Sequence, residues 1–141
     1  MNSQVTDVVL QGTSNPARIN GDLGSRPCEA EFRYGPDAIY IRPSGPGVGA
    51  REAATIMSAA RREFAGRHRP LKRVLLDLES VLVPSSMAIG LLLEMAKLAS
   101  SIDASLEVAT EPEFREVLSM LKLDGRYTMA RSGRRLAESV R

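Results

Sequence analysis

The segment Arg73-Val-Leu-Leu-Asp-Leu78 is a short, nearly unbroken apolar run, with Gly66 and Pro70 ahead of it and Pro84 behind it. Such a run is a strand buried on both faces, the pattern of a parallel sheet covered by helices. Its neighbours fit that reading. Ahead of it, Ala53, Met57, Ala60 and Phe64 recur along Ala50–Phe64 at the spacing of one helix face. Behind it, Ser85 or Ser86 caps a helix that runs to about Ser101. Strands separated by helices run mostly parallel, because each crossover returns the chain to the same direction.

The rest of the chain extends this pattern. Cys28–Tyr34 alternates, Gly35-Pro36-Asp37 signals a turn, and Ala38–Ile41 is a second strand, so a hairpin is expected. Ser105–Ala109 alternates like a strand. Thr110-Glu-Pro-Glu113 has the form of a capping box with proline in the first turn. Phe114, Val117, Leu118 and Leu121 supply the apolar stripe of the helix it opens. Asp124-Gly125 then turns the chain into a last short strand, Arg126–Met129. The expected fold class is α/β, a small mixed, mostly parallel sheet flanked by helices, in the order β-β-α-β-α-β-α-β with a C-terminal tail helix. Three regions are expected: a flexible leader over 1–27, a domain over 28–130, and a basic, frayed tail over 131–141.

A chain of 141 residues with 43% hydrophobic and 26% charged residues is of ordinary globular make-up. The apolar stretch Ile89–Leu93 is closed at once by Glu94, far short of the ~20 residues of a membrane span. The N-terminus has neither the basic nor the apolar region of a signal peptide. A lone cysteine, Cys28, fits a reducing compartment, so a soluble cytoplasmic protein is expected, monomeric or weakly dimeric. The net charge of +2 hides a basic cluster at Arg61, Arg62, Arg67, Arg69, Lys72 and Arg73, and another in the tail. Neither contains the aromatics or recognition helix that nucleic-acid binding calls for. Both are read as solvated arginines.

No catalytic constellation emerges, and no metal or cofactor is expected. His68 stands alone in a loop with no companion ligands. Cys28 has no activating base beside it. Gly45-Pro-Gly47-Val-Gly49-Ala50 fits a dinucleotide fingerprint lying between a strand and a helix, with Asp77 or Glu79 placed to bind a ribose. Against a nucleotide site, Arg42-Pro43-Ser44 interrupts the strand that should feed the first glycine. Asp77 also lies well beyond the roughly 20-residue offset that the fingerprint expects. The loop is read first as a β-to-α connection, with a nucleotide-binding domain that uses the 45–50 glycine loop standing as an alternative of another class.

The segment Val74–Leu93 carries the strongest functional signal: a buried strand ending Leu76-Asp77-Leu78, a loop, then paired serines opening an apolar helix. Together with Phe114-Arg-Glu-Val-Leu-Ser-Met-Leu-Lys-Leu-Asp124, it resembles the STAS domain of anti-sigma factor antagonists and sulfate-transporter tails. The resemblance covers roughly 28–130. The family motif Asp-Ser-Ser-Gly-Leu-Gly is replaced here by Pro84-Ser85-Ser86-Met87-Ala88-Ile89, so the serines match while the aspartate and both glycines do not.

The resemblance implies a non-enzymatic partner-switching regulator of transcription. An anti-sigma factor that is also a serine kinase would phosphorylate Ser85, or alternatively Ser86, and a cognate phosphatase would reset it. A second implication within the family is an accessory subunit that steadies the ATPase of an ABC-type transporter. Helix periodicity buries Ala88, Leu91, Leu92, Met95, Leu98 and Ala99 and leaves Met87, Gly90, Glu94 and Lys97 as an exposed row. The expected docking surface is therefore Pro84, Ser85, Ser86, Met87, Gly90 and Glu94, with Gly45 and Gly47 beside it.

Overall fold

The computed structural model describes residues 30–140; the leader over 1–27, Cys28 and Arg141 lie outside them. Strands β1 (Glu31–Tyr34) and β2 (Ala38–Arg42) form the expected hairpin, with Arg33 opposite Tyr40 and Phe32 opposite Ile41. Helix α1 (Ala50–Gly66) leads to β3 (Arg73–Leu78), and α2 (Ser86–Ser101) leads to β4 (Ser105–Thr110). Helix α3 (Pro112–Met120) and a 3-10 turn (Asp124–Arg126) lead to β5 (Thr128–Met129), and α4 (Gly133–Glu138) follows. The sheet is five-stranded in the order β1-β2-β3-β4-β5, antiparallel at the hairpin and parallel elsewhere.

This strand order decides where the helices go. From β2 to β5 each crossover steps in the same direction, and right-handed crossovers that never reverse deposit their helices on one face. Accordingly α1, α2 and α3 share a single core with the residues of one sheet face. Ile39, Ile41, Val74, Leu76, Leu78, Leu106 and Val108 meet Ile56, Met57, Leu92, Met95, Phe114 and Leu118 there.

The opposite face presents Ala38, Tyr40, Leu75 and Ala109, and it needs its own cover. That cover is α4 and the residues just after it: Leu136 and Ala137 of the helix, and Val140 beyond its end, are buried against those four residues. The expected frayed tail is thus corrected: the C-terminal segment is a packed layer. Ser132 caps α4 by accepting the Arg135 N–H at 3.1 Å. Two glycines allow the close approach. A side chain on Gly35 would collide with the Val140 carbonyl, and one on Gly133 would collide with the Asp77 carboxylate.

Two arginines expected to be solvated are also structural. Arg67 is 14% exposed, pairs with Glu63 at 2.8 Å, and donates to the Gly35 and Pro36 carbonyls at 2.6 and 3.0 Å. It thereby ties the end of α1 to the β1–β2 turn. Arg73 forks onto Glu107 of β4, at 2.8 and 3.3 Å.

The capping box does not form. Thr110 remains in β4, paired with Leu78, so its hydroxyl is buried at the strand end and Glu111 takes the N-cap position. Leu121, expected in the buried stripe of α3, is 51% exposed because the helix ends at Met120. The last strand is shorter than expected, since Asp124–Arg126 closes a 3-10 turn first. No described helix is long and apolar enough to cross a membrane.

Candidate docking surface at the start of helix α2

At the C-terminal ends of β2 and β3 two loops lie side by side. The loop after β3 is pinned from within by Val81, which is fully buried and whose N–H donates to the Leu78 carbonyl at 3.0 Å. The loop after β2 is anchored by Val48, also buried. They are stitched to each other. Ser80 Oγ donates to the Pro43 carbonyl at 2.6 Å, and the Leu82 and Val83 N–H groups donate to the Pro46 carbonyl at 2.8 and 3.1 Å. Gly45, at φ +69°, sits so close to the Ser80 carbonyl that only glycine fits. Gly47 and Gly49 face open space.

The stitched loops push apolar side chains outward. Leu82 is 59% exposed, Val83 51% and Met87 40%. An isolated exposed leucine is unremarkable in a folded protein, but three large apolar side chains within six residues of chain form a patch suited to a protein partner. The sequence reading found Met87 and missed Leu82 and Val83. Val81-Leu-Val83 is apolar throughout, and only the fold decides that Val81 is buried while Leu82 and Val83 are exposed.

The serines sit at the edge of this patch. Ser85 is the N-cap of α2, with φ −75° and ψ 166°, and its Oγ accepts the Ala88 N–H at 3.2 Å. Its own N–H donates to the Val83 carbonyl at 2.8 Å. Accepting one bond leaves the hydroxyl its proton and a second lone pair, so capping does not consume its reactivity. Ser86 is exposed in the first turn, and Pro84 and Ser85 are half-buried.

Along α2, Ala88, Leu91, Leu92, Met95, Ala96 and Ala99 are buried, while Glu94 and Lys97 are exposed. Leu98 is only partly buried, and Ala96 takes its expected place in the core. Gly90 is half-buried and has open space at its missing Cβ. Glu94 reaches Arg61 of α1 at 3.5 Å across the exposed groove between the helices. Pro84, Ser85, Ser86 and Met87 are thus gathered with Gly45 and Gly47, while Gly90 and Glu94 continue the row down the helix.

At the start of α1, Glu52 accepts both the N–H and the hydroxyl of Ser44 at 2.9 Å. This sets a carboxylate in the turn where the glycine fingerprint would seat a pyrophosphate. His68 is exposed, and among the described residues no group of His, Cys, Asp and Glu is placed to hold a metal.

A five-stranded mixed sheet with three helices on one face and a short helix on the other is the STAS-like fold. Solved structures similar to this chain include two that match over most of its length. The protein TM1081, determined by NMR, matches with a TM-score of 0.63 at 16% identity, over 89% of this chain and 97% of that one. An anti-sigma-factor antagonist (STAS) domain protein from Planctomyces limnophilus matches with a TM-score of 0.60 at 20% identity, over 77% of this chain and 96% of its own. No protein-family model matches the sequence, and no curated protein matches it significantly.

Proposed function

We propose that this protein is a non-enzymatic, cytoplasmic partner-switching regulator that docks through the start of α2 and is controlled by phosphorylation of Ser85. The observation that carries this reading is the placement of a helix-capping serine beside the exposed side chains of Leu82, Val83 and Met87. The fold shared with an anti-sigma-factor antagonist domain supports an antagonist role. The partner is then an anti-sigma factor with serine-kinase activity, and a phosphatase completes the cycle.

The physics of such a switch follows from the geometry. Phosphate on Ser85 adds about −1.5 to −2 charge at neutral pH. The unpaired N–H groups and dipole of the α2 N-terminus stabilise that charge, so the domain keeps its fold. A partner seated on the apolar patch would have to strip water from the same charge, and binding is lost. The switch therefore needs no large movement of the chain.

The test is a pull-down from the native cell with wild type and Ser85→Asp in parallel, mapping phosphate on the recovered protein. Aspartate is as good an N-cap as serine, so thermal stability should be nearly unchanged while the kinase is recovered by wild type alone. Undiminished recovery by Ser85→Asp would overturn the proposal. Recovery of a transporter ATPase, with Ser85 unmodified, would replace it with the accessory-subunit reading.

A further inference from the structure

Asp77 is the one buried charged side chain among the described residues, 4% exposed, and its neighbours along β3 from Val74 to Leu78 are all leucine and valine. A leucine there would extend the apolar run without the cost of burying a carboxylate, so the presence of the carboxylate asks for a role. Its two oxygens point to one. Oδ2 accepts the Tyr40 hydroxyl at 2.6 Å, inside the layer covered by α4. Oδ1 accepts the Glu79 N–H at 3.0 Å, where β3 turns into the docking loop. Gly133, the first residue of α4, lies directly on the same carboxylate. From Glu79 the contacts continue through Ser80 to Pro43, and through Pro46 to Leu82 and Val83. One side chain thus touches the seat of α4 on one side and the root of the exposed patch on the other.

We propose that Asp77 is a positioning residue that couples the seating of α4 to the shape of the loop over 79–83. Whatever lifts α4 from the sheet, or presses it down, alters the docking surface beside Ser85. The consequence for binding rests on the docking reading above. The coupling itself does not, because it can be measured in the isolated full-length chain with no partner present.

The measurement is residue-resolved amide hydrogen exchange. Gly133→Ala drives a methyl group into the Asp77 carboxylate; Tyr40→Phe removes one of its donors and leaves the packing intact. In Gly133→Ala, exchange at Glu79, Leu82 and Val83 should quicken by about tenfold, while Ile102 and Ala104 at the opposite end of the sheet stay unchanged. Tyr40→Phe should produce a smaller change at the same loop amides, which keeps the test open should Gly133→Ala fold poorly. Asp77→Asn retains an acceptor for the Glu79 N–H and can donate to the Tyr40 oxygen, so its loop protection should stay within about twofold of wild type. Acceleration confined to residues 130–140, or spread evenly over the whole chain, would overturn the coupling. Loss of loop protection in Asp77→Asn would assign the effect to charge and overturn the positioning role.

Discussion

Arg73 donates through its two Nη atoms to the carbonyl and hydroxyl of Ser139, at 3.2 and 3.0 Å, while the same guanidinium grips Glu107. A side chain at the start of β3 therefore holds the far end of α4 on the sheet, and Leu136 fills the space between.

Removing that cover should be costly. Leu136 is 2% exposed, and Leu136→Ala should lower unfolding free energy by about 2–4 kcal/mol in urea titrations. Arg73→Leu should cost less, about 1–2 kcal/mol, because its ion pair with Glu107 is partly open to water. A frayed tail would give no measurable loss for Leu136→Ala.

Alkaline pH should weaken the fold through Tyr40. Burial, followed by the hydrogen bond to Asp77, holds its hydroxyl well above the ordinary tyrosine value of 10.0. Above about pH 10 the unfolded chain releases this proton while the folded chain keeps it, so the folded state binds more protons and stability falls as pH rises. The slope contributed by one such group is at most about 1.4 kcal/mol per pH unit. Urea titrations between pH 8 and about pH 12 should show this decline in wild type and a shallower one in Tyr40→Phe. Tyr127, raised chiefly by burial and also by Asp124, should contribute a lesser part, read from Tyr127→Phe.

Gly90→Ala separates folding from docking. Nothing lies within 4 Å of the missing Cβ, and the residue sits inside α2. Alanine should therefore raise stability by about 0.5–1 kcal/mol. If the exposed row of α2 meets a partner closely, the same substitution should weaken binding, so a stabilised protein with reduced affinity is the expected pair of results. Unchanged affinity would place Gly90 outside the interface.

The parallel sheet and its helices were legible because β3 is a short apolar run bounded by turn residues and the stripes of α1 and α2 repeat at the helical period, and the cap of α2 was legible as one of the paired serines, of which the structure selects Ser85. The role of the C-terminal segment was not. Its stripe of Leu136, Ala137 and Val140 is short and set among arginines that masked it. A stricter inference was available: a strand apolar on both faces, with successive crossovers all stepping one way, leaves a face that something further along the chain must cover. Thr110 misled because its hydroxyl matched a capping pattern, whereas the ladder to Leu78 kept it in the strand. Leu82 and Val83 were passed over because exposure of apolar residues in a loop depends on how Val81 and Pro46 hold it, which no local period encodes.

The docking of α4 against β2 and β3 also sets the order in which a growing chain can finish folding. Strands β1 to β4 are complete once Thr110 has been made, yet Tyr40 and Leu75 stay uncovered until residues 133–140 follow. At cellular synthesis rates that interval is roughly 2–6 s, long beside the folding of a small α/β domain. A sheet that formed ahead of this segment would wait with one apolar face open, a window in which chaperones, or another nascent copy, could reach it first.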